Sequence, residues 1–576
     1  MPTLVGDGGH FVIDPFGFYL GDGAGTGLPL GHNSGTRPFF TIDIDVYAPG
    51  IAPVDFALGI GTHAIGTLSL LAEDLEYAST LTYSDAGYRT AGTPVTAYPP
   101  WMQEAFELDA RCPIDPGQVA ATWGWGSVRL VNVDGYFDTA AVEWNADGRE
   151  VTIRYGEKTW DDDRGIWLDP DFGDLTTIFS GFAMPWLLSE FELEVPLRDP
   201  SYWLQKTLQT RTYAGTGSYE GDTELAGINK PYARGTCYNV PLTLIDRTNN
   251  IWQYNDGPGT VNALYEGGAT TITFQADTSD LYSGSTTAGQ YRTDNSRGLV
   301  QLGSTPASGL EITADVAGDF STAGFVTMAA NIARYILTED MAIPSTNIDT
   351  ASFTDAATDY PYPGGIFIPP GESMDGVTAV SRLLGSMGAK LVPAPDGQLQ
   401  CFVLRKIPAD ATPDAYFDEA TIIDLVPRAV PDVVFPPPKR IRVAYRHNYT
   451  VMKTGVSSSA TAARRQYIGQ PELMAEWYSG TVAANWRNAN DPPPFGGMLT
   501  AKANADQVAI DIGELFENGI RSYDVTVPIW LGMNLTFGDY IQITYPFADL
   551  DAGKIVQVVG RGIRSADMHM TLTVIT

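Results

Sequence analysis

The sequence of 576 residues carries 35 basic and 68 acidic side chains, a formal net charge of −33, with 44% hydrophobic residues, 60 glycines and 39 prolines. This is roughly twice the 250–300 residues at which single cores stop growing, and the aromatic and aliphatic content excludes disorder, so two or three folded domains are expected. So acidic a chain excludes a general electrostatic grip on nucleic-acid backbone or an anionic membrane, while it lets DNA pass without sticking.

Residues 1–38 form a Gly-rich arm, with GDGAGTGLPLGHNSG, that orders only against a neighbour. The first thirty residues show neither a basic n-region nor an apolar core segment, and no apolar run spans a bilayer, so the chain is expected to fold in a cytoplasm. From Phe40 the pattern alternates: Phe40, Ile42, Ile44 and Val46 against Thr41, Asp43 and Asp45, the period of a half-buried strand. Further strands are expected at Thr67–Leu71, Ser127–Val133, Val151–Tyr155, Thr176–Phe182 and Phe191–Leu197, with a turn at Asp134-Gly135. Strands so spaced, with few helical windows, argue for an antiparallel barrel or sandwich over residues 39–206.

Residues 207–430 read as an inserted α+β domain. It opens with KPYARGTCYNVPLTLIDRTNNIWQYNDGPGTVNALYEGG (residues 230–268), expected to be a strand, a turn at Asn255-Asp256-Gly257 and a second strand. TTITFQAD, GLVQLGS and LEITADVAGDF are further strands. Two helices follow. In the first, Ser321 can cap, and Phe325, Met328, Ala329, Ile332 and Ile336 share a face; in the second, Ser373 can cap Val377, Val380, Leu384 and Met387 before Gly388. A hairpin spans Lys390–Leu404, turning at Pro395-Asp396-Gly397. The Pro-rich stretch of residues 427–440 is an extended return linker. Residues 431–576 read as a second β domain with one helix: IRVAYRHNYTVM as a strand, Asn504–Glu517 as a helix laid across a small barrel, and alternating strands from Tyr523 to the end.

The sequence carries few chemical motifs. There is no G-x-S-x-G, H-E-x-x-H or G-x-x-x-x-G-K-[ST] motif. Gly59-Ile60-Gly61-Thr62-His63-Ala64 matches G-x-G-x-x-A, but an alternating strand pattern follows it where a phosphate-binding helix is required. Five histidines (His10, His32, His63, His447, His569) have no carboxylate or cysteine at ligand spacing, and Cys112, Cys237 and Cys401 form no C-x-x-C pair, which reads as buried free thiols. The best metal candidate is a Ca²⁺ loop in TWDDDRGIWLDPDFGDL, using Asp161, Asp163, Asp169 and Asp171 with Asp162 and Asp174 nearby. It lacks the EF-hand register, and a solvated acidic loop is the plainer reading. No cofactor is expected, and no catalytic residue can be named.

Three stretches carry a family resemblance in the family's order. SVRLVNVDGYFD with Asp134 and Gly135, then GREVTIRYGE and FSGFA, preceded by TYSDAGYRT, is the first. Next comes the segment from Lys230 and Pro231 through Gly235 and Asn239 to Asp256-Gly257 and the LYEGG end; LTFGDYIQITYP, with Gly538 and Asp539, is the third. Together they resemble the baseplate hub, or tail-tip, proteins of long-tailed, siphovirus-like bacteriophages. Arg234 departs from the pattern, standing where an aromatic is usual, and residues 1–38 match nothing in it.

The resemblance implies a mainly β structural protein of the virion and no enzyme: two tube-like antiparallel barrel or sandwich domains (39–206 and 431–576) flanking the middle domain. It implies a trimeric ring that caps the tail tube, contacts the distal tail protein and receives fibre or central tip proteins. It further implies assembly in the bacterial host cytoplasm and passage of DNA at ejection without specific binding. Two other classes stay open. One is the hexameric distal tail protein, with one tube-like domain per chain. The other is a carbohydrate-binding or carbohydrate-cleaving virion or surface protein, which would need an aromatic-lined cleft holding two carboxylates.

Overall fold

The computed structural model describes residues 36–47, 78–104, 107–118, 122–132, 135–318, 320–321, 324–394 and 396–576. The arm as far as residue 35, the expected strand Thr67–Leu71, the Gly59–Ala64 motif, His10, His32, His63, Asp134 and Pro395 lie outside the described residues. The fold is mainly β.

The first large sheet is 9-stranded and antiparallel. Its strands run in the order Ala78–Ser84, Thr36–Tyr47, Glu150–Asp161, Thr176–Ala183, Glu192–Arg198, Ser127–Val131, Met102–Glu104, with two short strands beside them. The alternation in Thr36–Tyr47 does what the pattern requires: Phe40, Ile42, Ile44 and Val46 are buried on one face. On the other face Asp43 pairs with Arg154 and Asp45 accepts from Thr80 Oγ1 at 2.7 Å. Gly135 has φ +71 and turns the chain into a short helix, Tyr136–Glu143, where sequence suggested only a turn between strands. Asn132 Oδ1 accepts the Phe137 N–H at 2.8 Å at that entry.

The last large sheet runs Ala415–Asp418, Tyr540–Thr544, Lys554–Arg564, His569–Ile575, Ser522–Pro528, Asp424–Arg428. It differs from the sequence reading in three ways. First, Ala415–Asp418 and Asp424–Arg428 belong to it although they precede residue 431. Second, the hairpin Glu107–Arg111 and Thr122–Trp125, from the first third of the chain, pairs with Lys554–Arg564. Third, the helix Lys502–Phe516 packs on the strands Arg440–Tyr445 and Leu473–Tyr478 instead of across this sheet. Its apolar face of Val508, Ile512, Leu515 and Phe516 joins the core of the inserted part. The two large sheets share one continuous core, in which Phe40, Ile153 and Val195 lie with Val525, Ile541 and Leu572.

The insert holds a small sandwich and a helical half. The sandwich consists of the sheet Gly259–Glu266, Ile312–Gly318, Tyr232–Pro241, Gly365–Ile368 and a 5-stranded sheet, sharing a core around Tyr254, Val300 and Val316. The stretch 230–268 therefore contains four strands, not two, because Asn250 at φ +51 and the Asp246 carboxylate, accepting from Asn249 N at 2.9 Å, break the run. The first expected helix starts later, at Ala329, since Phe320–Ser321 and Gly324–Phe325 form a small hairpin with Gly324 at φ +89. The second is Gly376–Ser386, capped by Asp375, whose carboxylate accepts from Thr378 N at 2.7 Å, and not by Ser373. The hairpin Ala389–Pro393 and Leu399–Val403 is as expected. The strand beginning at Arg440 ends at Tyr445, where Arg446 has φ +53.

A buried polar cluster ties the sandwich to the segment after residue 446. Asn239, fully buried at φ +53 in a bulge of its strand, receives the Thr313 hydroxyl and Arg464 Nη2 on Oδ1, each at 2.7 Å. Its Nδ2 donates to Asn448 Oδ1 and to the Thr450 carbonyl, each at 2.7 Å. Asp315 accepts from Asn239 N and Tyr265 Oη, each at 2.8 Å, and Arg464 stacks 3.6 Å from the Tyr265 ring centroid.

Two substitutions test this packing. Gly→Ala inside a helix ordinarily stabilises by up to about 1 kcal/mol. At Gly513 a Cβ would stand 2.3–2.6 Å from ring atoms of Trp477, so Gly513→Ala is expected to lower the denaturant midpoint by an amount equivalent to about 1–3 kcal/mol. Arg464→Met strands the Asp315 carboxylate and is expected to destabilise by about 3 kcal/mol. The double variant with Asp315→Asn should cost less than the sum of the single changes, measured as a double-mutant cycle.

Candidate assembly interface

The described positions singled out in the sequence hold turns, close strand approaches and ion pairs. Lys230 is buried, with Nζ 3.0 Å from Glu220 Oε1 and 5.4 Å from the centre of the Tyr213 ring. The Pro231 carbonyl accepts Asp256 N at 2.7 Å, and Asp256 pairs with Arg211 at 2.8 Å. Burial raises the Asp256 pKa against the pull of Arg211 and Lys230. Gly257 completes that turn. Gly235 has φ +68, and a Cβ there would meet the Gly364 carbonyl oxygen at 2.4 Å, so the strand Gly365–Ile368 can approach only a glycine. Arg234, the departure from the family pattern, lies 4.5 Å over the Tyr232 ring and forms a two-pronged pair with Asp340, which also accepts from Tyr232 Oη at 2.7 Å. Gly538, at φ +96, donates to the Val558 carbonyl at 2.9 Å, and Asp539 Oδ2 accepts Thr536 N at 2.8 Å.

The acidic loop does not gather its carboxylates. Asp161 Oδ1 accepts the N–H groups of Asp163 and Arg164 at 3.0 and 3.1 Å, and Asp169 pairs with Lys158 at 2.7 Å and accepts Arg89 N at 3.0 Å. Asp171 precedes the short 3₁₀ turn Phe172–Asp174. Among the described residues no group of three or more His, Cys, Asp and Glu side chains is placed to hold a metal ion, and of the carboxylates considered for Ca²⁺ Asp161 closes a turn and pairs with Arg164 at 3.5 Å while Asp169 pairs with Lys158. Cys112, Cys237 and Cys401 are buried and free, and burial pushes the Cys112 and Cys401 thiols up to about 12. His447, unpartnered by sequence spacing, lies with Nδ1 2.9 Å from Glu472 Oε1.

A cavity of about 560 Å³ opens between Pro492–Phe495, Arg382, Arg442 and the turn at Asp115. Among the described residues lining it Asp115 is the one carboxylate. No described helix is long and apolar enough to cross a membrane.

What sequence reasoning missed is the surface at the hairpin tips. Leu187 and Phe191 are 58% and 60% exposed at the end of the Leu187–Leu188 and Glu192–Arg198 hairpin, closed by Ser189 N on the Glu192 carbonyl at 2.8 Å. Trp160 and Trp167, 41% and 37% exposed, stack edge-to-face across the register pair of a second hairpin. Tyr416 is 67% exposed on an outermost strand of the last sheet. Contiguous apolar side chains at open sheet edges are surfaces that proteins normally cover. The sequence signal was present in the pairs Trp160/Trp167 and Leu187/Leu188, but their exposure depends on the fold around them.

No family model and no curated protein matches the sequence. In three dimensions the chain is similar to solved tail proteins. One is the tail protein from Neisseria meningitidis MC58, at 10% identity, covering 85% of this chain and 96% of that one, with TM-score 0.36. The others are the 43 kDa tail protein of prophage MuSo2 from Shewanella oneidensis (9% identity, 85% and 97% covered, TM-score 0.31) and the prophage tail protein gp18 from Listeria monocytogenes EGD-e (8% identity, 85% and 93% covered, TM-score 0.31).

Proposed function

We propose that this chain is a structural protein of a phage tail, the baseplate hub, three copies of which form a ring that closes the tail tube. The observation that carries this reading is the architecture: an early and a late β unit on a common core, with an α+β insert held out between them. Two tube-like units per chain in three copies present six to a sixfold tube. The exposed hairpins with Leu187 and Phe191 and with Trp160 and Trp167, together with the open sheet edges, are the surfaces by which copies and the distal tail protein join. The insert faces away from the tube and receives fibre or central tip proteins. With 68 acidic against 35 basic residues the lumen repels phosphate, so DNA passes at ejection without binding. The ring is assembled in the bacterial cytoplasm and resides at the tail tip. It carries out no chemical step and uses no cofactor.

The distal tail protein is the second reading, disfavoured by two β units per chain. The carbohydrate-cleaving reading takes two carboxylates facing a cleft, and among the described residues lining the cavity of about 560 Å³ Asp115 is the one.

Native mass spectrometry and electron-microscopy class averages of the protein, with and without tail neighbours, test the proposal. A threefold ring with a central channel is expected. A sixfold ring points to the distal tail protein, a monomer that stays monomeric beside tail proteins overturns the hub reading, and a mapped lumen rich in Lys and Arg sinks the repulsion argument. Leu187→Glu with Phe191→Glu is expected to abolish ring formation while shifting protomer stability by no more than about 0.5 kcal/mol, because both side chains already face solvent.

A further inference from the structure

Where the crossing hairpin, the two large sheets and the insert meet there is a cavity of about 20 Å³, lined by Leu108, Phe179, Pro393, Phe537, Ile563 and Arg561 among others. That volume admits one water-sized particle, which needs roughly 10–15 Å³. The walls are mostly apolar; the polar residues on them are Ser180 and Arg561, and Arg561 is 7% exposed. Its Nη2 donates to the Met533 carbonyl at 2.9 Å, whereas its Nε–H, fully shielded from solvent, reaches no protein acceptor. No carboxylate of the described residues stands within ion-pair distance of it; Asp539 acts on it only through space, with Oδ2 already taken by Thr536 N.

We propose that this junction binds one small monovalent anion of the halide class, held by the Arg561 guanidinium. A buried cation whose counter-charge, Asp539, acts on it only through space is costly, and one donor left unpaired adds to the cost. Water would supply an acceptor but no charge. An anion supplies both, and the apolar walls suit a large, weakly hydrated ion such as chloride better than a small, strongly hydrated one. The size excludes sulfate, phosphate and organic carboxylates. Burial pulls the Arg561 pKa down to about 10, and Asp539 opposes this, which agrees with a guanidinium short of negative charge. Because the walls come from both large sheets, the hairpin that joins them and the insert, the ion acts as a pin through all of these parts. The inference does not depend on the hub reading.

The test is thermal melting of the full chain while sodium chloride replaces sodium gluconate at constant ionic strength, with bromide as a second halide. The expected result is a saturable rise of the melting midpoint by about 1–2 °C, as for a ligand that binds only the folded state. Arg561→Gln removes the dependence, and Arg428→Gln, which breaks a partly exposed pair with Asp524, keeps it. If Arg561→Gln fails to fold, crystals of the unaltered chain in bromide decide the matter by an anomalous peak beside Arg561. A midpoint equal in chloride and gluconate, with no bromide peak there, overturns the proposal and leaves a buried water in its place.

Discussion

The pairing of Glu107–Arg111 with Lys554–Arg564 is the constraint on which the rest of the architecture depends. It runs in register from Arg111 opposite Gly560 to Glu107 opposite Arg564, and Cys112 N extends it to the Val559 carbonyl at 2.8 Å. Backbone N–H and C=O groups at this depth must find partners, so the hairpin cannot move without opening the last sheet. It brings the first and last parts of the chain onto one core. Everything between residues about 205 and 415 must therefore leave that core and return to it, which makes the middle of the chain an insert. The Asn239 cluster then ties the sandwich of that insert to the segment after residue 446.

Charge is distributed unevenly between inside and outside. The cations are few, and many are withdrawn into the structure: Arg154 to Asp43, Arg234 to Asp340, Arg405 to Asp511 and Arg464 to Asp315, each with both side chains less than a fifth exposed. Arginine suits such sites because its fork satisfies two acceptors at once; Arg405 also caps the helix Gly376–Ser386 by donating to the Met387 carbonyl at 2.7 Å. Each internal pair is neutral and leaves the excess acid on the surface. The net charge of −33 is unchanged by these pairs, and the remaining surface charge is acidic in a higher proportion.

Much of this fold was legible in the sequence wherever one element governs its own burial. The alternation at Phe40–Val46 and Tyr523–Val527, the helical face of Val508 to Phe516, and the turn at Asp396-Gly397 are local patterns, and the structure places them as strands, helix and hairpin. Sequence failed where the outcome depended on a distant partner. Nothing in ELDAR marks it as a strand of the last sheet, since its neighbours lie at the other end of the chain. The helix Lys502–Phe516 was recognisable, but its apolar stripe does not say which sheet receives it. Ser321 and Ser373 were plausible caps by type; a hairpin closing at Gly324 and a better-placed carboxylate at Asp375 displaced them. Among the candidate site residues, Asn239 was chosen for its place in a motif, and its role became visible only with Asp315, Asn448 and Arg464 around it.

The crossing hairpin also dictates an order of events during synthesis. Arg111 leaves the ribosome roughly 450 residues before Gly560, its register partner. Until the last strands are made, Glu107–Arg111 has an unpaired edge and the first sheet lacks the part of its core that the last sheet supplies. Contacts so remote in sequence carry a large loop-closure cost and form slowly. The early unit must therefore wait, partly structured and with apolar surface uncovered, through most of translation, and a chain truncated near its end keeps that surface exposed for good. Folding is complete only once the whole polypeptide is, so an unfinished protomer cannot present the finished surfaces of a finished one.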